Sequence, residues 1–265
     1  MDRPASGTGR ALVTGAVWEL VRRAAPGPAT RLHCFPHSGG SPGEYLRWSD
    51  ALPRAEVRAV QLPGHGARLA EAPLRDVREL VGRLVAAVEF TPPFVLFGHS
   101  LGALIAYETA HALSAAGLPP PAGLVVSAYP APHLTRLQAR TPVHRMSDGE
   151  LTPLVLAGYG ELADELRADP EYLGMVLDRY RADHELVETY QYREREPLTC
   201  DVTVLGGLDD DIGVDELAAW RAHTDAGFAV HLLPGDHFYI RSGHGEVMRL
   251  LDASLFTHRP QGIGS

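Results

Sequence analysis

Ser100 sits in the segment Gly98-His99-Ser100-Leu101-Gly102, after the apolar run 94–97 and before Ala103, Ile105, Ala106 and Ala110 at helical spacing. A strand turning straight into a helix presents the side chain at its corner. Such a corner tolerates little bulk nearby, which accounts for Gly98 and Gly102. This is the G-x-S-x-G pattern of a nucleophile elbow. A serine hydroxyl is a poor nucleophile at neutral pH, so it needs a base within reach and an acid that fixes the base's tautomer. The chain holds 13 histidines, so position must choose among them. His237 follows the strand-like run 229–233 and the turn residues Pro234 and Gly235. His231 lies inside that run, His244 in a Gly-rich loop and His258 near the tail. The acid is sought after the run 202–207, where Asp209, Asp210 and Asp211 follow one another. Asp209 comes first after the Gly-Gly turn and is the expected partner. Asp210 and Asp211 read as solvated, or as caps of the next helix. Asp236 adjoins His237 and is poorly placed for the far side of its ring.

Attack by Ser100 on a carbonyl would put negative charge on the carbonyl oxygen. Two backbone N–H groups should meet it. Leu101, just after the nucleophile, supplies one. The second is expected from Ser38, through its N–H, in the loop Phe35-Pro36-His37-Ser38-Gly39-Gly40, where the glycines allow close approach of the backbone. This loop lacks the G-K-[ST] ending of a phosphate loop.

These residues need a scaffold. Strand patterns fall at 31–35, 57–62, 94–97, 124–128, 202–207 and 229–235, and helical patterns at 76–90, 101–116, 214–223 and 246–256. The alternation predicts one α/β domain over residues 1–265, with a mostly parallel, doubly wound sheet covered on both faces. From 135 to 196 there is no strand signal, and Pro142, Pro153, Gly158, Gly160 and Pro170 interrupt the helical segments. An inserted helical lid is expected there.

A net charge of −9 argues against non-specific nucleic-acid binding. All 24 basic residues are arginine, which points to a GC-rich genome rather than to a mechanism. Cys34 and Cys200 read as reduced thiols. No C-x-x-C or H-E-x-x-H cluster appears, and no metal or other cofactor is expected. Arg3 and Arg10 precede the apolar segment 11–21, a faint echo of a signal peptide. Glu19 breaks that segment and no cleavage site follows. No stretch approaches a membrane span, so a cytoplasmic protein without membrane attachment is expected.

Taken together, Cys34-Phe35-Pro36-His37-Ser38-Gly39-Gly40, the stretch Val60-Gln61-Leu62-Pro63-Gly64-His65-Gly66, the serine elbow and Leu233-Pro234-Gly235-Asp236-His237-Phe238-Tyr239 resemble the type II thioesterases. These are stand-alone α/β-hydrolases associated with polyketide synthases and nonribosomal peptide synthetases. The similarity runs from about 32 to 256. The family's Gly-Asp-x-Asp acid loop aligns with Gly206-Gly207-Leu208-Asp209, which again places the acid on Asp209. The resemblance implies hydrolysis of acyl thioesters on the phosphopantetheine arm of an acyl or peptidyl carrier protein, through an acyl-Ser100 ester, by a monomer needing no cofactor. Arg68, Arg136, Arg140 and Arg145 are candidates for a basic docking patch. An oxygen-ester hydrolase or lipase, a catalytically dead carrier-binding scaffold, and acyl transfer to an acceptor other than water remain the competing readings.

Overall fold

Along β4 (Phe94–His99) the side chains alternate between two cores. Phe94 and Leu96 join one cluster of buried residues, Val95 and Phe97 the other. Period two is what a strand imposes, and burial on both faces explains the unbroken apolar run. The structure, a computed structural model, describes residues 17–23, 30–134, 142–157 and 163–256. The other strands are β1 (Glu19–Val21), β2 (Thr30–Phe35), β3 (Ala55–Val60), β5 (Gly123–Ser127), β6 (Asp201–Gly207) and β7 (Phe228–Leu233). They form a seven-stranded sheet in the order β1-β3-β2-β4-β5-β6-β7. All pairs are parallel except β1 with β3. The expected mostly parallel, α/β-hydrolase-type sheet is present.

Helices α1 (Pro42–Leu46), α2 (Val77–Ala87) and α3 (Leu101–Ala115) follow β2, β3 and β4. Asp76 caps α2 by accepting the Glu79 N–H at 2.8 Å. Residues of α2 and α3 fill one face of the sheet. Residues of α1 and of the C-terminal helices α8 (Tyr239–Ser242) and α9 (His244–Phe256) fill the other. Helix α7 (Val214–Ala218) adds Leu217 to the α2–α3 face.

Strand β1 was not legible in the sequence pattern. It is three residues long, and Glu19, which breaks the apolar run, bonds to His33 and Arg58 rather than facing open solvent. Cys34 and Cys200 are buried and free, and burial pushes both thiols up, Cys200 to about 12. Between β5 and β6 the chain forms α4 (Asp148–Ala157), α5 (Ala163–Ala168) and α6 (Pro170–Glu188), with no strand among the described residues. These helices bury Leu151, Val155, Leu166, Val176 and Leu177 against one another in a small core of their own. Pro170 starts α6 rather than breaking it, because a missing N–H costs nothing in the first turn. No helix among the described residues is long and apolar enough to cross a membrane. Arg136, Arg140 and the tail from 257 lie outside the described residues.

The strand order reverses between β2 and β4. Ligands of doubly wound sheets bind outside the carboxyl ends of the strands at such a switch point. The Ser38 loop follows β2 and Ser100 follows β4.

Candidate active site

Ser100 has φ 55° and ψ −121°, a conformation non-glycine residues rarely adopt. Its neighbours make the strained corner possible. A Cβ at Gly98 would lie 2.0 Å from the Gly102 carbonyl oxygen, and one at Gly102 would lie 2.0 Å from that of Phe35. Gly98 thus lets α3 fold back on its own strand, and Gly102 lets the first turn of α3 rest on the end of β2. The Ser100 N–H donates to the Ser127 carbonyl at 2.8 Å, pinning the corner to β5. Below it the buried His99 ring bonds the Ser127 hydroxyl at 2.9 Å, and that hydroxyl meets the Tyr239 hydroxyl. Burial lowers the His99 pKa well below its ordinary value.

His237 is on the loop after β7, and its Nδ1 lies 2.9 Å from Oδ2 of Asp210. The expected partner, Asp209, is exposed and does not make this contact. The reason lies in the backbone. The Leu208 and Asp209 N–H groups still donate to Leu233 and Gly235, so the chain runs alongside β7 one residue longer than the Gly-Gly pair suggests. Only then does it turn, with Asp210 N–H toward the Gly207 carbonyl. A Cβ at Gly207 would lie 2.5 Å from the Asp236 carbonyl oxygen, which makes Gly207 the close-approach glycine of the loop. The Asp210 side chain is only 5% exposed. Burial pushes its carboxyl up, but the His237 hydrogen bond and charge, with the Asp211 and Ile212 N–H groups, outweigh burial and hold it below its ordinary range. Asp236 instead accepts the Phe238 N–H at 2.8 Å and shapes the histidine loop.

Ser38, Ser100, Asp210 and His237 line one cavity of about 340 Å³. Leu101 opens α3, so its N–H is one of the helix's first-turn donors with no intrahelical acceptor. In the Ser38 loop the Gly40 N–H donates to His37 O at 2.8 Å and the Gly39 N–H to Asp183 at 2.7 Å.

The thioesterase domain model matches residues 30–255. The chain belongs to the thioesterase family. The type II thioesterase BorB from the borrelidin biosynthetic cluster is similar at 37% identity with a TM-score of 0.77, over 90% of this chain and 97% of that one. Thioesterase PikA5 of Streptomyces venezuelae is 36% identical over 97% of this chain and 90% of its own length. The protein named linear gramicidin dehydrogenase LgrE, of Brevibacillus parabrevis, is 34% identical over 95% and 98%. That name describes the relative. In this thioesterase the loop after β2 lacks the G-x-G-x-x-G spacing that binds a dinucleotide pyrophosphate.

The thioesterase cavity is walled on its other side by α6, through His184, Val187 and Glu188. Glu188 accepts the N–H groups of Val143 and His144, at 2.8 and 3.1 Å, and meets the His144 ring at 2.6 Å. A second cavity of about 320 Å³ shares Tyr129, Pro130, Val187 and Glu188 with the first. Of the candidate docking arginines, Arg145 is exposed but Arg68 is buried. The Arg68 guanidinium lies 4.0 Å from the centre of a Trp18 ring and forks onto Glu71, so it belongs to the fold rather than to a surface patch. Sequence reading missed His65, Asp183 and Glu188. Asp183 carried one signal: it is an acid on the face of α6 that also presents Val176 and Leu186 to the interior.

Proposed function

We propose that this thioesterase hydrolyses acyl thioesters held on the phosphopantetheine arm of an acyl or peptidyl carrier protein, acting as a cytoplasmic monomer. The contact of His237 with the buried Asp210, in the cavity that Ser100 lines, carries the mechanism. Asp210 takes the Nδ1 proton of His237 in a hydrogen bond, which leaves Nε2 as the base. Ser100 loses its proton to Nε2 and attacks the thioester carbonyl. The N–H groups of Ser38 and Leu101 receive the oxyanion; Ser38 fits this role because the two N–H groups that follow it in its turn, those of Gly39 and Gly40, are already bonded. The C–S bond then breaks, the pantetheine thiolate takes the proton from His237, and the acyl group stays on Ser100. His237 next deprotonates water, which attacks the ester carbonyl; the bond to Ser100 breaks, His237 returns the proton to the Ser100 oxygen, and the acid is released. The acyl chain extends between Tyr129, Pro130 and Val187. BorB and PikA5 support the substrate class by what they are named to be.

The test is the intact mass of an acyl-loaded carrier protein, incubated with enzyme and compared with matched oxygen esters. Loss of the acyl mass with formation of free acid is expected, at rates well above those on the oxygen esters. Preference for the oxygen esters would favour the esterase reading. A product other than free acid would favour acyl transfer.

A further inference from the structure

Asp183 lies on α6 yet reaches across to the loop after β2. It is 2% exposed. Its Oδ2 accepts the Gly39 N–H at 2.7 Å and lies 2.9 Å from Nε2 of His65. The other nitrogen of His65, Nδ1, is 3.1 Å from the Pro63 carbonyl oxygen. Both ring nitrogens thus lie within hydrogen-bond distance of oxygen acceptors, which fixes the ring between the loop and α6. One turn earlier on α6, the Tyr180 ring comes within 3.7 Å of the point where a Gly39 side chain would begin. Gly39 has φ +72°, so the turn depends on a left-handed glycine. The Gly40 N–H to His37 O bond closes the same turn around Ser38. Asp183 therefore fixes the peptide that follows Ser38, and the turn closure fixes the loop on both sides of it.

We propose that Asp183 is a positioning residue: through Gly39 it holds the Ser38 N–H where the oxyanion forms, and so makes the oxyanion hole complete only when α6 is seated. The inference rests on the oxyanion-hole assignment made above. It gives the lid a part in the chemical step beyond walling the cavity. If α6 lifts, the carboxylate leaves the buried His65 ring and the Gly39 N–H, and the Ser38 turn loses the bond that orients it.

The experiment uses a fluorophosphonate, which Ser100 attacks at phosphorus with departure of fluoride and with the P=O oxygen in the oxyanion hole. Labelling therefore reads the hole without any natural substrate. In Asp183→Asn the second-order labelling rate should fall about 10- to 100-fold, less than loss of a donor outright because the N–H is displaced and not deleted. With an acyl-carrier thioester, kcat should fall in proportion and KM should stay within about twofold. Asp178→Asn on the same helix, which loses only the exposed contact with Arg75, should label at the native rate. A folded Asp183→Asn protein that labels at the native rate would overturn the proposal, as would an equal loss in Asp178→Asn. If Asp183→Asn does not fold, His65→Gln carries the test, with a smaller loss in the same direction expected and a native rate overturning it. Native protein that takes the label but leaves carrier thioesters intact would sink the proposed substrate and leave Asp183 judged by labelling. Native protein that takes no label would overturn both.

Discussion

The two walls of the cavity are built differently. Ser100, Asp210 and His237 stand on the carboxyl ends of β4, β6 and β7, which are locked by parallel ladders. His184, Val187 and Glu188 stand on α6, whose helices share a separate small core. In the proposed mechanism the sheet wall carries the bond-making groups, and its geometry is set within a few residues of each strand end. The α6 wall, the proposed lid, carries shape, and under the proposal above it acts on the chemistry through Asp183, which holds the Ser38 loop. Rigid elements suit groups that must be placed to within a fraction of an ångström, whereas a lid has to admit substrate.

Substitutions on the two walls should therefore differ in size and kind. On the sheet wall, Ser100→Ala should lower kcat on a carrier thioester by about 10⁶. Residual turnover within tenfold of native would mean another nucleophile. Asp210→Asn should cost about 10⁴ with little change in KM, because the amide no longer fixes the His237 tautomer. Asp209→Asn should stay within about twofold, as its exposed side chain lies off the histidine. Equal losses for the two would return the acid role to the position the sequence favoured.

Much of the sheet wall was legible in the sequence and little of the lid wall was. The elbow is a local pattern in sequence: Gly98 and Gly102 bracket Ser100, and each has backbone where a side chain would stand. His237 was legible because a strand and a turn precede it. The expected acid fell one residue short of the side chain that meets His237: Gly206 and Gly207 look alike in sequence, and only the fold shows that a side chain at Gly207 would meet the Asp236 backbone, whereas one at Gly206 would meet the Leu217 side chain. Arg68 looked like surface because nothing in its neighbourhood announces that Trp18 will cover it. Asp183 and His65 are 118 positions apart, and no local pattern links them. Their meeting depends on how α6 packs across the sheet end.

Acid should also lower the stability of the fold. His37, His111 and His223 have pKa values lowered to about 4, chiefly by burial. Such a ring is protonated in the unfolded chain below about 6.5 but stays neutral in the folded one until about 4. The unfolded state then binds more protons, so stability falls as pH drops from 6.5 to 4. Asp210 acts in a lower window: its depressed carboxyl stabilises the fold above the ordinary carboxylate range and is lost only as pH falls through its folded value. Thermal melting followed from pH 8 to 4 should show a plateau and then a decline beginning near 6.5. A flat melting temperature down to 4.5 would mean that these rings take up protons without unfolding the sheet.

On the lid wall a smaller effect than that of Asp183→Asn is expected at Glu188. Its carboxylate gathers the N–H groups of Val143 and His144 and the His144 ring, so it joins the segment before α4 to the end of α6. Glu188→Gln keeps an acceptor oxygen but gives up charge and one acceptor site, and the cavity wall should loosen without moving Ser38 or His237. KM for an acyl-carrier thioester should rise about three- to tenfold, in line with one charge-assisted hydrogen bond, while kcat and fluorophosphonate labelling stay near native. A fall in labelling as large as that of Asp183→Asn would show that the lid acts on the oxyanion loop as a whole. The special place given to Asp183 would then dissolve into general seating of α6, and the contrast between a wall for chemistry and a wall for shape would have to be given up.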